Sequence, residues 1–201
     1  MLWERGSQWL YNPAGDPAEP IITEGEGYVA IYGEATQAYN STYEAMLDVQ
    51  HASRSVVWLQ PDVLVIYDRA MTASAGFKRF WLNLPAPATT QGNVTTMVTA
   101  SGQQLQIVAL LPTEITTSVI ALGDEPSGSP AVGEIMTHRY GAEVVGNPTE
   151  AVLVHVLIGM DAGATAPTIT LVNGDPNAPV VQIGESLVTF GDQGRQIEVQ
   201  P

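Results

Sequence analysis

The sequence predicts an all-β protein, an antiparallel β-sandwich of the layered super-sandwich type with roughly a dozen short strands. Short runs rich in Val, Ile, Thr, Tyr, Phe and Trp recur at near-regular spacing, and nearly all end at Gly, Pro, Asn or Asp. No helical pattern alternates with them, which argues against a parallel sheet. No segment repeats at a fixed period, which removes propellers and solenoids.

Residues 1–25 hold Asn12-Pro13-Ala14-Gly15-Asp16-Pro17 and Glu19-Pro20, breakers that allow short extended pieces and no long element. They form a loop-rich leading segment. Residues 28–32 alternate as a strand. Residues 35–52, with Tyr43-Glu44-Ala45-Met46-Leu47, have the one helix-like composition, read as a connecting loop with a single helical turn or as a short helix. Strand signals follow over 52–59, 63–70, 77–84, 93–100, 105–111, 116–122, 133–140, 152–160, 168–172, 180–183, 187–190 and 196–199. Ser101-Gly102, Asn173-Gly174-Asp175 and Gly191-Asp192-Gln193-Gly194 supply turn chemistry, and 124–130 is an exposed loop. Together these predict one domain over 1–201, long enough to bury about 70% of its unfolded surface.

The densest signal is residues 54–69, two apolar runs around Gln60-Pro61-Asp62. Pro61 presets φ and Asp62 can bond its own backbone, so the segment is a hairpin. Val56-Val57-Trp58-Leu59 and Val63-Leu64-Val65-Ile66-Tyr67 run unbroken, which predicts cover on both faces. A three-residue turn sets Leu59 opposite Val63 and Arg54 opposite Asp68; Arg54, Asp68 and Arg69 invite a catalytic reading, but their place at the hairpin's open end gives the simpler expectation of structural charges.

The pattern Arg-x-Val-Val-x-Leu-x-Pro-Asp-x-Leu-Val-Ile-x-Asp-Arg over 54–69 resembles a stretch of the C-terminal β-domain of heparinase II/III-like polysaccharide lyases. The resemblance extends to Gly33-Glu34-Ala35-Thr36-Gln37-Ala38-Tyr39 and, more loosely, to Phe77-Lys78-Arg79-Phe80-Trp81. It implies that the chain is a piece of a longer protein with a helical toroid domain as partner. It also implies a polysaccharide ligand and a periplasmic or extracellular location. The family's His-Asp motif in a Gly-rich strand pair has no counterpart here, so no catalytic residue is assigned and this segment alone is expected to be inactive.

Seven basic against 21 acidic residues give a net charge of −14, which disfavours nucleic acid and anionic membranes, and opposes acidic glycans too. A local basic cluster can override that field at short range, since the Debye length is about 8 Å. Lys78-Arg79 is the dense cluster available. No apolar run approaches the roughly 20 residues of a bilayer span, and Met1 to Arg5 lack the basic and apolar regions of a signal peptide. Cys is absent, removing disulfides and thiolate sites, and no two histidines have ligand spacing, so no cofactor and no metal is expected.

Residues 77–83 alternate Lys78, Phe80 and Leu82 against Arg79, Trp81 and Asn83. Arg79, Trp81 and Asn83 can hold a sugar by stacking, a guanidinium fork and a hydroxyl contact, or Trp81 can pack in a core or domain interface. His51 is the further substrate-binding candidate. His155, in an apolar run, is expected as a core imidazole with a backbone partner, and His138 as half-exposed. Trp3 and Trp9, flanking Glu4-Arg5, are candidates for packing against another domain. Function divides into an accessory domain of a lyase, a stand-alone carbohydrate-binding module, or an assembly domain.

Overall fold

The computed structural model describes residues 8, 13–122 and 136–200. Strands in chain order are β1 (Ile21–Gly25), β2 (Tyr28–Glu34), β3 (Val49–Leu59), β4 (Val63–Thr72), β5 (Arg79–Leu84), β6 (Ala88–Gln91), β7 (Val94–Val98) and β8 (Gln104–Leu111). They continue as β9 (Ile115–Ala121), β10 (His138–Val144), β11 (Glu150–Met160), β12 (Ile169–Asn173), β13 (Val180–Ile183), β14 (Ser186–Gly191) and β15 (Gln196–Gln200). Every strand pair is antiparallel.

Three sheets form the layers. The central one has eight strands in the order β1-β2-β3-β4-β11-β8-β7-β6. A four-stranded sheet, β12-β13-β14-β15, and a three-stranded sheet, β5-β10-β9, cover its opposite faces. Strand alternation makes both cores. Val57, Leu59, Val65, Tyr67, Val154, Val156 and Ile158 meet Val181, Ile183, Val188 and Phe190 of the four-stranded sheet. On the other face Ile66, Leu153, Leu157 and Ile107 meet Phe80, Leu84, Tyr140 and Ala142 of the three-stranded sheet. The eight consecutive residues Ala151 to Ile158 are all buried because β11 sits mid-sheet with a layer on each side.

Tyr67 anchors the four-stranded layer. Its ring stacks on Phe190 at 5.3 Å and its hydroxyl donates to Pro176 O at 3.0 Å. Gly194, at φ +91°, presses against that ring, where a Cβ would come within 2.6 Å of it, while Ser55 Oγ donates to Gly194 O at 2.6 Å. Only glycine fits both the backbone and the space.

The 54–69 hairpin has the expected register, Leu59 opposite Val63 and Arg54 opposite Asp68. The Gln60–Pro61 peptide is cis, and Trp58 Nε1 donates to Pro61 O at 2.9 Å. The cover differs from expectation. β4 is enclosed on both faces, but β3 alternates: Ser55, Val57 and Leu59 are buried, whereas Arg54 and Trp58 are exposed. Its unbroken apolar run therefore overstated the cover.

Two strands were absent from the sequence reading. β1 lies inside the leading segment, and β6 pairs with β7 through the two-residue loop Gly92-Asn93. The expected strand at 133–140 begins instead at His138 and runs to Val144, and residues 123–135 and the loop expected at 124–130 lie outside the described residues. Within 35–52 the helical turn is a 3-10 turn, Thr36–Tyr39, in agreement with the loop alternative. Trp3, Glu4, Arg5 and Trp9 also lie outside the described residues.

Candidate functional site

A cleft of about 550 Å³ opens where the three-stranded layer ends above β2, β3 and β4. Tyr39, Arg54, Asp68, Phe77, Arg79 and Trp81 are among the residues lining it. The Thr36–Tyr39 turn is pinned to β3, because Ala35 N donates to Ala52 O at 2.8 Å and Ala52 N donates to Thr36 Oγ1 at 3.0 Å. Glu34 caps the turn, accepting from Thr36 N at 2.8 Å. This carries Tyr39 to the cleft, where burial raises its pKa against the opposing pull of Arg54. Its hydroxyl therefore stays protonated and serves as a hydrogen-bond donor.

Arg54 and Asp68 close on each other in a two-pronged pair, Nε to Oδ1 at 2.6 Å and Nη2 to Oδ2 at 2.9 Å. The Asp68 side chain is 15% exposed and the Arg54 side chain 51%, so the pair is an anchored acid with a more solvent-facing base. Burial raises the pKa of Asp68 against the pull of Arg54. For Arg54, burial opposes charge, but the Asp68 bonds prevail and raise its pKa. Arg54 and Asp68 thus face each other across the hairpin at the expected register. Arg69 is occupied differently: Nε donates to Glu150 Oε1 at 2.9 Å, and Nη1 bonds Gln193 Oε1.

Beneath the pair, Arg54 Cζ lies 5.3 Å from the Phe80 ring centroid, and Phe80 stacks on His155 at 4.2 Å. His155 is fully buried, but among the described residues neither ring nitrogen has a hydrogen-bond partner, which corrects the expected backbone bond. Aromatic packing holds it instead, with Tyr140 edge-on at 6.1 Å. Burial, with Arg54 adding, pushes its pKa down to about 3, so the imidazole is neutral. Tyr140 Oη is likewise buried without a partner, and burial pushes its pKa up to about 12.

Strand β5 splits the Lys78-Arg79 cluster. Lys78 turns inward and is buried, its ammonium donating to Thr72 Oγ1 at 2.8 Å and to the carbonyls of Gly76 and Pro148 at 3.0 Å each. The expected basic cluster is thus one surface charge and one internal strut. Arg79 faces out, bonded through Nε to Glu143 Oε2 at 2.6 Å, with Cζ 5.1 Å from the Phe77 centroid and 4.6 Å from Trp81. Asn83 shares that face and accepts from Arg139 Nε at 2.9 Å.

Arg79, Trp81 and Asn83 are therefore together, as alternation predicts. His51 does not line the cleft. Its Nε2 pairs with Ser53 Oγ at 2.8 Å, and burial, with Arg69 next, lowers its pKa. His138 is half-buried, with Nδ1 2.8 Å from Thr137 Oγ1. Sequence reasoning missed Tyr39 as a cleft residue, although it ends the Gly33-to-Tyr39 segment, and missed Arg139, whose place beside Asn83 depends on a pairing across 56 residues. Among the described residues, no three His, Asp or Glu side chains converge as a metal-ligand set.

The architecture defines a class: a three-layer antiparallel β-sandwich with a cleft at the edge of its smallest layer. No protein-family model and no curated protein matches the sequence. Solved structures match the fold. Heparan sulfate lyase HepC from Pedobacter heparinus superposes with a TM-score of 0.60 at 13% identity, over 92% of this chain and 28% of that chain. A heparinase III superposes with a TM-score of 0.60 at 11% identity, over 90% of this chain and 26% of its own. A mutant of HepC gives 0.61 at 12% identity, over 92% and 27%. This chain thus has a heparinase-like β-domain fold and spans about a quarter of the length of these structures.

Proposed function

We propose that this chain is the β-sandwich domain, C-terminal in its parent, of a heparinase II/III-like polysaccharide lyase. It walls the glycan cleft and packs beside a helical toroid domain, while β-elimination of a uronate-containing glycan belongs to the parent. The observation that carries this reading is the cleft, where the Tyr39 donor, the exposed side of Arg54, and the Arg79-Trp81 pair line one opening on a fold like that of two lyases.

The cleft is equipped for binding rather than for the full reaction. β-Elimination requires neutralisation of the uronate, a base for the neighbouring C–H proton and an acid for the leaving oxygen. Asp68 is tied to Arg54, Tyr39 is held protonated, and His51 lies outside the cleft, so no assigned group is a poised base. Arg54 and Arg79 suit the carboxylates or sulfates of the chain, and Trp81 suits a pyranose face. Acidic glycans are polymers met outside the cytoplasm, so the reading carries a periplasmic or extracellular location.

The test compares the parent with the 201-residue chain on uronate polysaccharides, following the ultraviolet absorbance of the unsaturated uronate product. The parent should cleave and the isolated chain should not. Turnover by the isolated chain would overturn the non-catalytic assignment, and a parent without any helical domain would overturn the family reading.

A further inference from the structure

We propose that β1-β2-β3, on the face of the central sheet that carries the three-stranded layer, seats the parent's helical domain through a matching surface that is apolar with a basic rim. This deepens the proposed function and rests on it for the identity of the partner, while the surface itself stands on register, exposure and charge.

Register fixes which residues share that face. Arg54 lies over the Phe80 ring, so Val56 and Trp58, two and four residues on, point to the side of the three-stranded layer. Ile22, Ile31 and Val56 stand opposite one another in one cross-strand row. Glu24, Val29, Trp58 and Leu64 make the next. Opposed side chains on adjacent antiparallel strands are about 5 Å apart, so the two rows are one continuous surface.

That surface is a core that runs out into solvent. Val56 and Leu64 pack against the cluster beneath the three-stranded layer. Beyond them, no described residue of β1 or β2 belongs to that cluster, yet apolar side chains continue to the edge of the sheet. Ile22 is 58% exposed, Trp58 42% and Ile31 39%. A face that meets water reads differently in this same molecule: the outer row of the four-stranded sheet is Thr170, Gln182, Leu187 and Gln200. Apolar residues scattered singly need no cover, but three large ones in adjoining positions mark an interaction surface.

Charge selects the occupant. Glu24 stands within the second row, and Gln60 N donates to Gly27 O at 2.8 Å, which brings Glu26 and Asp62 of the two adjoining turns to the same end. All three acids are exposed. From residue 6 to residue 68 the one Lys or Arg is Arg54, and Asp68 already holds it. A second copy seated here would set these acids against their own kind on a chain of net charge −14. A domain offering apolar side chains ringed by Lys or Arg matches both the centre and the rim. In the solved structures that share this fold, about three quarters of the chain lies outside the matched part, and in the parent that portion is the source of the partner. Seated there, it borders the cleft, because Gly33 and Arg54, which line the cleft, form the row next to Ile31 and Val56.

The chain has no cysteine, so a single introduced thiol reports cover. Ile22→Cys, Ile31→Cys and, on the polar outer row, Thr170→Cys are each made in the 201-residue chain and in the parent. Maleimide labelling is then followed by mass spectrometry of the peptide carrying the thiol, and melting curves confirm that each variant folds. All three should label readily in the isolated chain, whereas in the parent the first two should slow by about tenfold or more and Thr170→Cys should not change. Ile31→Lys, at an exposed position, should leave the melting midpoint of the isolated chain unchanged and restore fast labelling of Ile22→Cys in the parent. Protection already present in the isolated chain and growing with its concentration overturns the proposal, since the occupant is then a second copy. Equal labelling of isolated chain and parent, in a parent that forms unsaturated uronate, overturns the docking surface and leaves the lyase reading standing. Protection in a parent that has a helical domain but forms no such product upholds the surface, and the lyase reading alone fails.

Discussion

The two layers that cover the central sheet do different things with the same strands. On one side Tyr67 and Phe190 stack, the tyrosine hydroxyl finds Pro176 O, and the other fully buried residues of the cluster are aliphatic. On the other, Phe80 is stacked on an imidazole with no hydrogen bond, Tyr140 Oη is unpaired, and the layer ends in a cleft. A layer that only stabilises can be dry and closed. The one that borders the cleft keeps polar rings and an open edge, at a cost in stability that the first layer offsets.

The sharpest way to break this contrast is a matched pair of truncations. Phe190→Ala should cost about 3–5 kcal/mol in denaturant unfolding, because nothing can refill the dry layer. Phe80→Ala should cost less, since water entering from the cleft gains the two unpaired nitrogens of His155 as partners. An equal or larger loss at Phe80 would show the two layers to be energetically alike.

Acid should separate the layers next. His155 has a folded pKa of about 3 against its ordinary 6.5, so its neutral form is the one the fold accepts. Its contribution is complete above pH 6.5 and is lost as pH falls toward 3, because the unfolded chain takes up the proton first. By about pH 4.5 the loss is on the order of 3 kcal/mol. His155→Leu should therefore flatten the acid limb of the stability curve while leaving neutral stability equal or higher. A difference curve without slope between pH 6.5 and 4 would sink this account.

Lys78→Met should cost about 1–3 kcal/mol, by leaving the acceptors Thr72 Oγ1, Gly76 O and Pro148 O without their donor. A shift in melting midpoint reads it directly. Asp68→Ala should be mildest, about 1 kcal/mol or less, because its partner Arg54 is half-exposed and water screens the pair. If Asp68→Ala instead leaves melting unchanged and removes glycan binding, the pair belongs to the ligand site and not to the hairpin.

What was legible in the chain follows from what is local. The 54–69 hairpin, its register and the alternation of Arg79-Trp81-Asn83 are set by neighbouring residues and read correctly. The edge strands β1 and β6 escaped because five exposed residues, Ile21 to Gly25, and the Thr-rich Ala88–Gln91 carry no buried face to imprint a pattern. Lys78 misled because adjacent strand residues point to opposite sides, so two basic residues in a row are not a cluster. The partnership of Trp81 with Gly141 and Arg139 depends on β5 meeting β10 after a detour of more than fifty residues, which no local pattern encodes.

Strand order carries a consequence for how the chain comes to its fold. β11 lies between β4 and β8, so the middle of the largest sheet is the position filled latest among its members. Until residues 150–160 arrive, β1–β4 and β6–β8 are two separate meanders, each with an apolar inner edge unpaired. Closing them demands contacts such as Val154 with Tyr67 and Leu157 with Ile107, far apart along the chain, which makes assembly slow. During that interval the β4 edge, with Val65, Ile66 and Tyr67 uncovered, is the segment most exposed to mispairing with another molecule, so aggregation should be governed by the rate at which β11 docks.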